Sequence, residues 1–295
     1  MALVDDHGTI GPGAQNGDGL AIDPRAAIIP IMQQLAPGRL KIIGTGFYVT
    51  RYGLFATAGH VFSELAERDR RALGIAVVCH SLSSESVCLR QIRTAFINEE
   101  ADVAIGYADN FMEKIPERPL LSMRGHMSAH LPKAGSRLVT YAYPQNEVLD
   151  FTIANSQPRI VSDYYEGEVL AAVDAAEAAR RRYAGEYVPL EVPFLESSIH
   201  LKGGASGSPV FDRGRIVGVA TKSWELSADD PPLSYISGIE HLLGVEVRLD
   251  SVPMISWERS VIPAGRSTAT VAELRQWGHL LMDSQSAHER SESPL

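Results

Sequence analysis

Short apolar runs rich in β-branched and aromatic residues, set between Gly, Pro, Asn, Asp and Ser, recur along most of this chain, and runs of this kind mark strands. Residues 40–49 and 54–58 form two such runs, joined by Thr50-Arg51-Tyr52-Gly53, a four-residue connection with glycine that predicts a hairpin. Further runs at 74–79, 87–97 and 103–107 predict one antiparallel barrel of six or so strands. Residues 110–131 are irregular, with several Pro, Met and charged residues, and read as the crossing to a second half. Strand patterns resume at 137–143, 148–153 and 159–161, and again at 192–201, 209–211, 215–222 and 233–239.

A few stretches break this rhythm. Asp23-Pro24 has the form of a cap followed by a first-turn proline, which predicts a helix over 25–35. A short helix over 61–67 is expected just after His60. Residues 168–183 are alanine-rich, lack Gly and Pro, and end in Arg180-Arg181-Arg182, so they predict a helix with cations at its C-terminal end. The arginine run reads most simply as a solvated helix end. Thr270 and Glu273 make a capping-box pattern that opens a helix over 271–282. No internal repeat is visible in the sequence. The expected organisation is a disordered tail over 1–22, an N-terminal region with the first barrel over 23–115, and an inter-barrel connection over 116–135. A second barrel follows over 136–250 with a helical insertion at 168–183, then an extension over 251–295 with a helix at 270–282 and a disordered tail.

Composition narrows the class. With 295 residues, 45% apolar and 21% charged, the chain is long and apolar enough to bury a sizeable core. Its formal charge of -9 argues against a broad nucleic-acid or anionic-membrane surface, so no nucleic-acid or membrane partner is expected. The apolar run at 26–32 is short, broken by Pro30, and preceded by Asp5, Asp6 and Asp23 rather than by basic residues, unlike a secretory signal. No run approaches the ~18 residues of a membrane span. A soluble, cytoplasmic protein is therefore expected. Cys79 and Cys88 are expected as reduced thiols in that compartment; the alternative is a disulfide across a hairpin.

The candidate chemistry lies in three small-residue contexts. Thr57-Ala58-Gly59-His60 comes first, Ala101-Asp102-Val103-Ala104-Ile105 second, and Gly203-Gly204-Ala205-Ser206-Gly207-Ser208-Pro209 third. Hydrolysing an amide needs a nucleophile, a base to take its proton, and donors for the developing oxyanion. Glycines around Ser206 permit a tight turn and close substrate approach, and would turn the amides of Gly204 and Ser206 toward one spot as an oxyanion hole. His60, at the end of an apolar strand, is the candidate acid–base, and Asp102, opening another, would orient it. The order His, Asp, Ser differs from that of subtilisins and α/β-hydrolases. The α/β-hydrolase reading also needs Gly-x-Ser-x-Gly, and Ser208 occupies the last glycine position.

Together with Gly44-Thr45-Gly46-Phe47-Tyr48-Val49 and Ile216-Val217-Gly218-Val219, these motifs resemble the trypsin-like serine peptidases, most closely the bacterial Deg-type catalytic domain without its PDZ module. The resemblance runs over about 39–239 with a gap at 168–183. It implies an all-β fold of two six-stranded antiparallel barrels, chymotrypsin-like, with His60 and Asp102 from the first barrel and Ser206 from the second. It also implies a polypeptide substrate and no metal or organic cofactor. By the same resemblance, His200, Thr221, Lys222 and Ser223 would line the substrate side-chain pocket.

The chain departs from the family pattern in two places. Ala205 stands where secreted relatives carry the aspartate that pairs with a newly cut N-terminus, and about 45 residues after Asp250 are too few for a PDZ domain. Alternatives of other classes follow: a binding module of protease fold, or a latent enzyme whose oxyanion loop is ordered by an activating protein partner. An esterase would use the same triad. His126 and His130 have the i, i+4 spacing of a helical metal pair, but Gly125 and Pro132 argue for a surface loop.

Overall fold

The computed structural model describes residues 3–5, 8–10, 14–15, 21–22, 27–50, 53–68, 76–83, 86–110, 124–143, 148–150, 162–224, 232–252, 262–280 and 282. Six strands build the first barrel: β1 (Ile28–Ala36), β2 (Arg39–Tyr48), β3 (Leu54–Ala58), β4 (Ala76–Ser83), β5 (Ser86–Asn98) and β6 (Val103–Asn110). Six more build the second: β7 (Arg137–Ala142), β8 (Asp163–Val173), β9 (Phe194–Ser197), β10 (Pro209–Asp212), β11 (Arg215–Trp224) and β12 (Leu233–Gly238). Strand order in the first is β2-β1-β4-β5-β6-β3, and β3 returns to pair with β2. The second closes as β7-β8-β9-β12-β11-β10. Followed around each ring, the two barrels have the same connectivity. The repeat absent from the sequence is present in the topology.

The β2–β3 hairpin falls where its turn chemistry predicts. Val49 and Thr50 donate to the Leu54 carbonyl, and Gly53 takes φ +100 with its Cα so close to Ala108 that a Cβ would lie 2.5 Å from that carbonyl oxygen. Only glycine fits there. All five residues of β3 are buried, because it lies between β2 and β6.

Each barrel has its own apolar interior, around Ile31, Tyr48 and Phe55 in the first and Leu138, Leu195 and Ile236 in the second. The largest buried cluster lies between them, joining Phe47, Leu54 and Val103 to Phe211, Ile216 and Val219. The chain after β12 completes this middle layer. It carries α3 (Ile239–Leu243), a pair of short strands at Glu246–Arg248 and Thr268–Thr270, and α4 (Val271–Gln276), with Leu242, Val247 and Leu274 facing inward. These helices follow α1 (Gly59–Arg68) and α2 (Ala175–Tyr183) in chain order.

Several sequence expectations change. The helix expected over 25–35 is instead strand β1. Pro30 does not prevent this, since β4 pairs only with Ile31, Met32 and Gln33, and a missing N–H is tolerated where a strand is paired on one side alone. The helix expected over 168–183 is half strand: β8 runs to Val173, Asp174 caps α2, and its Oδ1 accepts the Glu177 amide at 2.8 Å. Val169 and Val173 face inward at strand period, and pairing with β7 and β9 overrides alanine's helical propensity. The Thr270–Glu273 capping box forms as expected, but α4 stops at Gln276, followed by Gly278 at φ +82. Within 1–22, Leu3–Asp5 pairs with Gly8–Ile10, and Ala14–Gln15 pairs with both Ala21–Ile22 and Arg124–Gly125. The strand expected at 159–161 and the tail 284–295 lie outside the described residues. On the β4–β5 ladder Cys79 is opposite Leu89 and Cys88 opposite His80, so the cysteines are one position out of step. No helix among the described residues is long and apolar enough to cross a membrane.

Candidate active site

The turn between β5 and β6 carries Asp102, and β3 runs directly into α1, which carries His60 as its second residue. The two turns are tied by backbone, Gly59 donating its amide to the Asp102 carbonyl at 2.9 Å. Asp102 Oδ1 accepts the His60 backbone N–H at 2.8 Å, and Oδ2 pairs with His60 Nδ1 at 2.8 Å. Both carboxylate oxygens are thus committed to one residue. The pairing assigns the proton to Nδ1 and leaves Nε2 with its lone pair. Asp102 is 8% exposed, and its φ of +51 is a left-handed value that a non-glycine residue adopts only when its surroundings hold it.

Ser206 lies in the loop before β10, and first-barrel backbone holds that loop. Thr45 in β2 donates its amide to the Ser206 carbonyl at 2.9 Å, and its hydroxyl to the Gly204 carbonyl at 2.8 Å. The same hydroxyl accepts the Tyr143 amide at 2.9 Å, and the Thr45 carbonyl accepts the Thr57 hydroxyl at 2.7 Å. Gly207 sits at φ +86 with room for nothing larger, since a Cβ would lie 2.0 Å from Thr57 Oγ1 and 2.2 Å from the Thr45 carbonyl oxygen. Its amide donates to Ala220 at 2.7 Å, that of Ala205 to Lys202 at 3.1 Å, and that of Ser208 to Ala205 at 3.0 Å. Among the described residues, the amides of Gly204 and Ser206 have no acceptor.

The Ser206 hydroxyl donates to the Thr221 carbonyl at 3.2 Å rather than to His60. Ala205, 1% exposed, joins the second-barrel core, so packing fixes the residue before the serine where an ion pair would otherwise do so.

Of the expected pocket residues, His200 and Ser223 line one shallow recess with Ile199, Leu201, Pro232, Leu233 and Ser234. Lys222 is half-buried on β11, opposite Tyr235. Thr221 is turned inward: 1% exposed, its hydroxyl donates to the Tyr235 carbonyl at 3.1 Å, and only its carbonyl reaches the Ser206 side. His126 and His130 lie on extended chain beside β11, where the His126 carbonyl accepts the Ile216 amide at 2.8 Å. Among the described residues no three His, Cys, Asp or Glu side chains group as a metal site.

The arginine run is not simply solvated. Arg181 is salt-bridged to Glu196 of β9 at 2.6 Å and to Glu177 at 2.9 Å, with 22% of its side chain exposed. Sequence reasoning also missed the role of Thr45. The Gly-Thr-Gly setting marked its neighbourhood, but only the fold shows which loop it holds.

Two antiparallel barrels with a His–Asp pair on one and a glycine-framed serine loop on the other define the architecture of a chymotrypsin-like peptidase. The sequence profile of the trypsin-like peptidase domain matches residues 44–219, more than half of the chain, which therefore belongs to that family. No curated protein matches in sequence. Among solved structures, Deg5 is similar at 14% identity and a TM-score of 0.48, over 73% of this chain and 84% of Deg5. The active form of the Rv3671c protease from M. tuberculosis is similar at 17% identity and a TM-score of 0.44, over 79% of this chain and 87% of that one.

Proposed function

We propose that this chain is a serine endopeptidase that cleaves polypeptides through an acyl-enzyme on Ser206, in the cytoplasm and without a cofactor. The observation that carries this reading is the two-point grip of the Asp102 carboxylate on His60, which leaves Nε2 as a base. Rotation about the Ser206 side chain carries its hydroxyl from Thr221 to Nε2. The oxygen attacks the scissile carbonyl carbon while its proton passes to Nε2. The amides of Gly204 and Ser206 receive the oxyanion. Collapse expels the amine, which takes the proton from His60. A water deprotonated by His60 then hydrolyses the ester and restores Ser206. His200 and Ser223, at the rim of the recess, would meet the substrate side chain.

The bond from Ser206 to Thr221 favours a second reading, a latent form in which a protein partner must turn the hydroxyl toward His60. Labelling with a fluorophosphonate probe tests both. The expected result is labelling of wild type and none of Ser206→Ala, with hydrolysis of an unstructured polypeptide abolished in the variant. Retained hydrolysis in Ser206→Ala overturns the assignment. A folded wild type that neither labels nor cleaves points to the latent or purely binding form.

A further inference from the structure

The segment between α2 and β9 is tied to three different elements within four residues. At Leu190, 1% exposed, the carbonyl accepts a hydrogen bond from the Arg182 guanidinium of α2. At Glu191, the amide donates to the Glu100 carbonyl at 3.1 Å, in the very turn that holds Asp102. At Pro193, the carbonyl pairs with His241 Nε2 of α3 at 2.8 Å. Val192, between them, packs against both the inter-barrel cluster and the cluster under α2. The helix at the head of this segment is docked through Arg181, which bridges Glu177 to Glu196.

The turn so reached needs support. Asp102 holds a left-handed backbone value, its amide donates to the Glu99 carbonyl at 3.2 Å, and its contacts with Gly59 and His60 tie it only to the start of α1. A brace from the second barrel at Glu100 restricts where the carboxylate can lie relative to His60.

We propose that residues 190–193 form a strap that positions Asp102, with Arg181 and Arg182 as positioning residues that keep the His60–Asp102 pair aligned. The proposal rests on the serine peptidase reading, and its test separates the two. In Arg181→Ala and Arg182→Ala, the fluorophosphonate labelling rate and peptide kcat should each fall about tenfold or more, with KM little changed, as misalignment of a reacting group produces. Arg181→Lys should recover part of the loss. Arg180→Ala, which removes the same charge from the same helix but touches only Glu177, should label at the wild-type rate. Thermal melts identify any variant that loses activity by unfolding. Rates are then compared below the lowest melting temperature, and for a wild type that does not label the readout there is the His60 Nδ1 proton resonance, assigned by its loss in His60→Gln. It should broaden or vanish in folded Arg181→Ala or Arg182→Ala and persist in Arg180→Ala. Equal rates across all three alanine variants, or an unchanged resonance in all three, overturn the strap.

Discussion

Thr45 and Ser206, 161 positions apart and on different barrels, are joined main chain to main chain at 2.9 Å. The contact makes the serine loop an extension of the first barrel's backbone. The Thr45 hydroxyl adds a second tie, to the Gly204 carbonyl at 2.8 Å. The geometry of the loop that carries Gly204 and Ser206 is therefore set from across the interface between the barrels.

Replacing that hydroxyl should be felt in both stability and activity. Thr45→Val keeps the shape and the amide but takes the Thr45 hydroxyl away from the Gly204 carbonyl in a buried site. A loss of about 2 kcal/mol or more is expected. Urea denaturation measures the loss of stability, and fluorophosphonate labelling should slow in the fraction that remains folded.

Two glycines of nearly equal φ should respond very differently to alanine. Gly265, at φ +83, has nothing within 4 Å of a new Cβ, so Gly265→Ala should cost only the backbone term, about 1 kcal/mol. Gly207→Ala adds a clash with Thr57 and the Thr45 carbonyl, and should cost about 4 kcal/mol or more. Parallel thermal melts decide it, and similar melting temperatures would contradict the packing described.

Asp102→Asn should retain the fold while disabling the imidazole. An amide that donates to Nδ1 favours the opposite tautomer and withdraws the lone pair from Nε2. A fall in kcat of about 10⁴ with little change in KM is expected, measured on any peptide that the wild type cleaves.

Acid should loosen α2 in a defined window. Hydrogen bonds from Arg180 and Arg181 hold the Glu177 carboxyl down at about 2, against an ordinary 4.5. A depressed carboxylate contributes stability that is complete above its unfolded value and is lost as pH falls through its folded value. Wild type should therefore lose more stability than Glu177→Gln between pH 4.5 and 2, as followed by denaturant titration. Parallel curves would show that the cluster does not couple to folding.

The candidate site was more legible in the sequence than parts of the fold around it. Ser206 sits beside Gly207, which its own turn requires at φ +86, and His60 and Asp102 each stand at the end of a short apolar strand, so local sequence carries much of the information. Elements that depend on distant partners were misread. Residues 25–35 carry a helix-start signature, but β1 is drawn into strand by its pairing with β2 and β4. Residues 168–173 are sound helix formers held extended by β7 and β9. Arg181 could not be separated from Arg180 by sequence, because its partner Glu196 lies on a strand 15 positions away.

The distribution of these groups along the chain has a consequence for synthesis on the ribosome. A nascent chain that has emerged as far as Ala142 carries His60 and Asp102 but not Ser206. When Ser206 follows, its loop still lacks Ala220, which anchors Gly207, and Thr221, whose carbonyl receives the hydroxyl. The strand that closes the second barrel, β12, comes later still. A site distributed in this order along the chain is complete only once the last strands of the second barrel have formed.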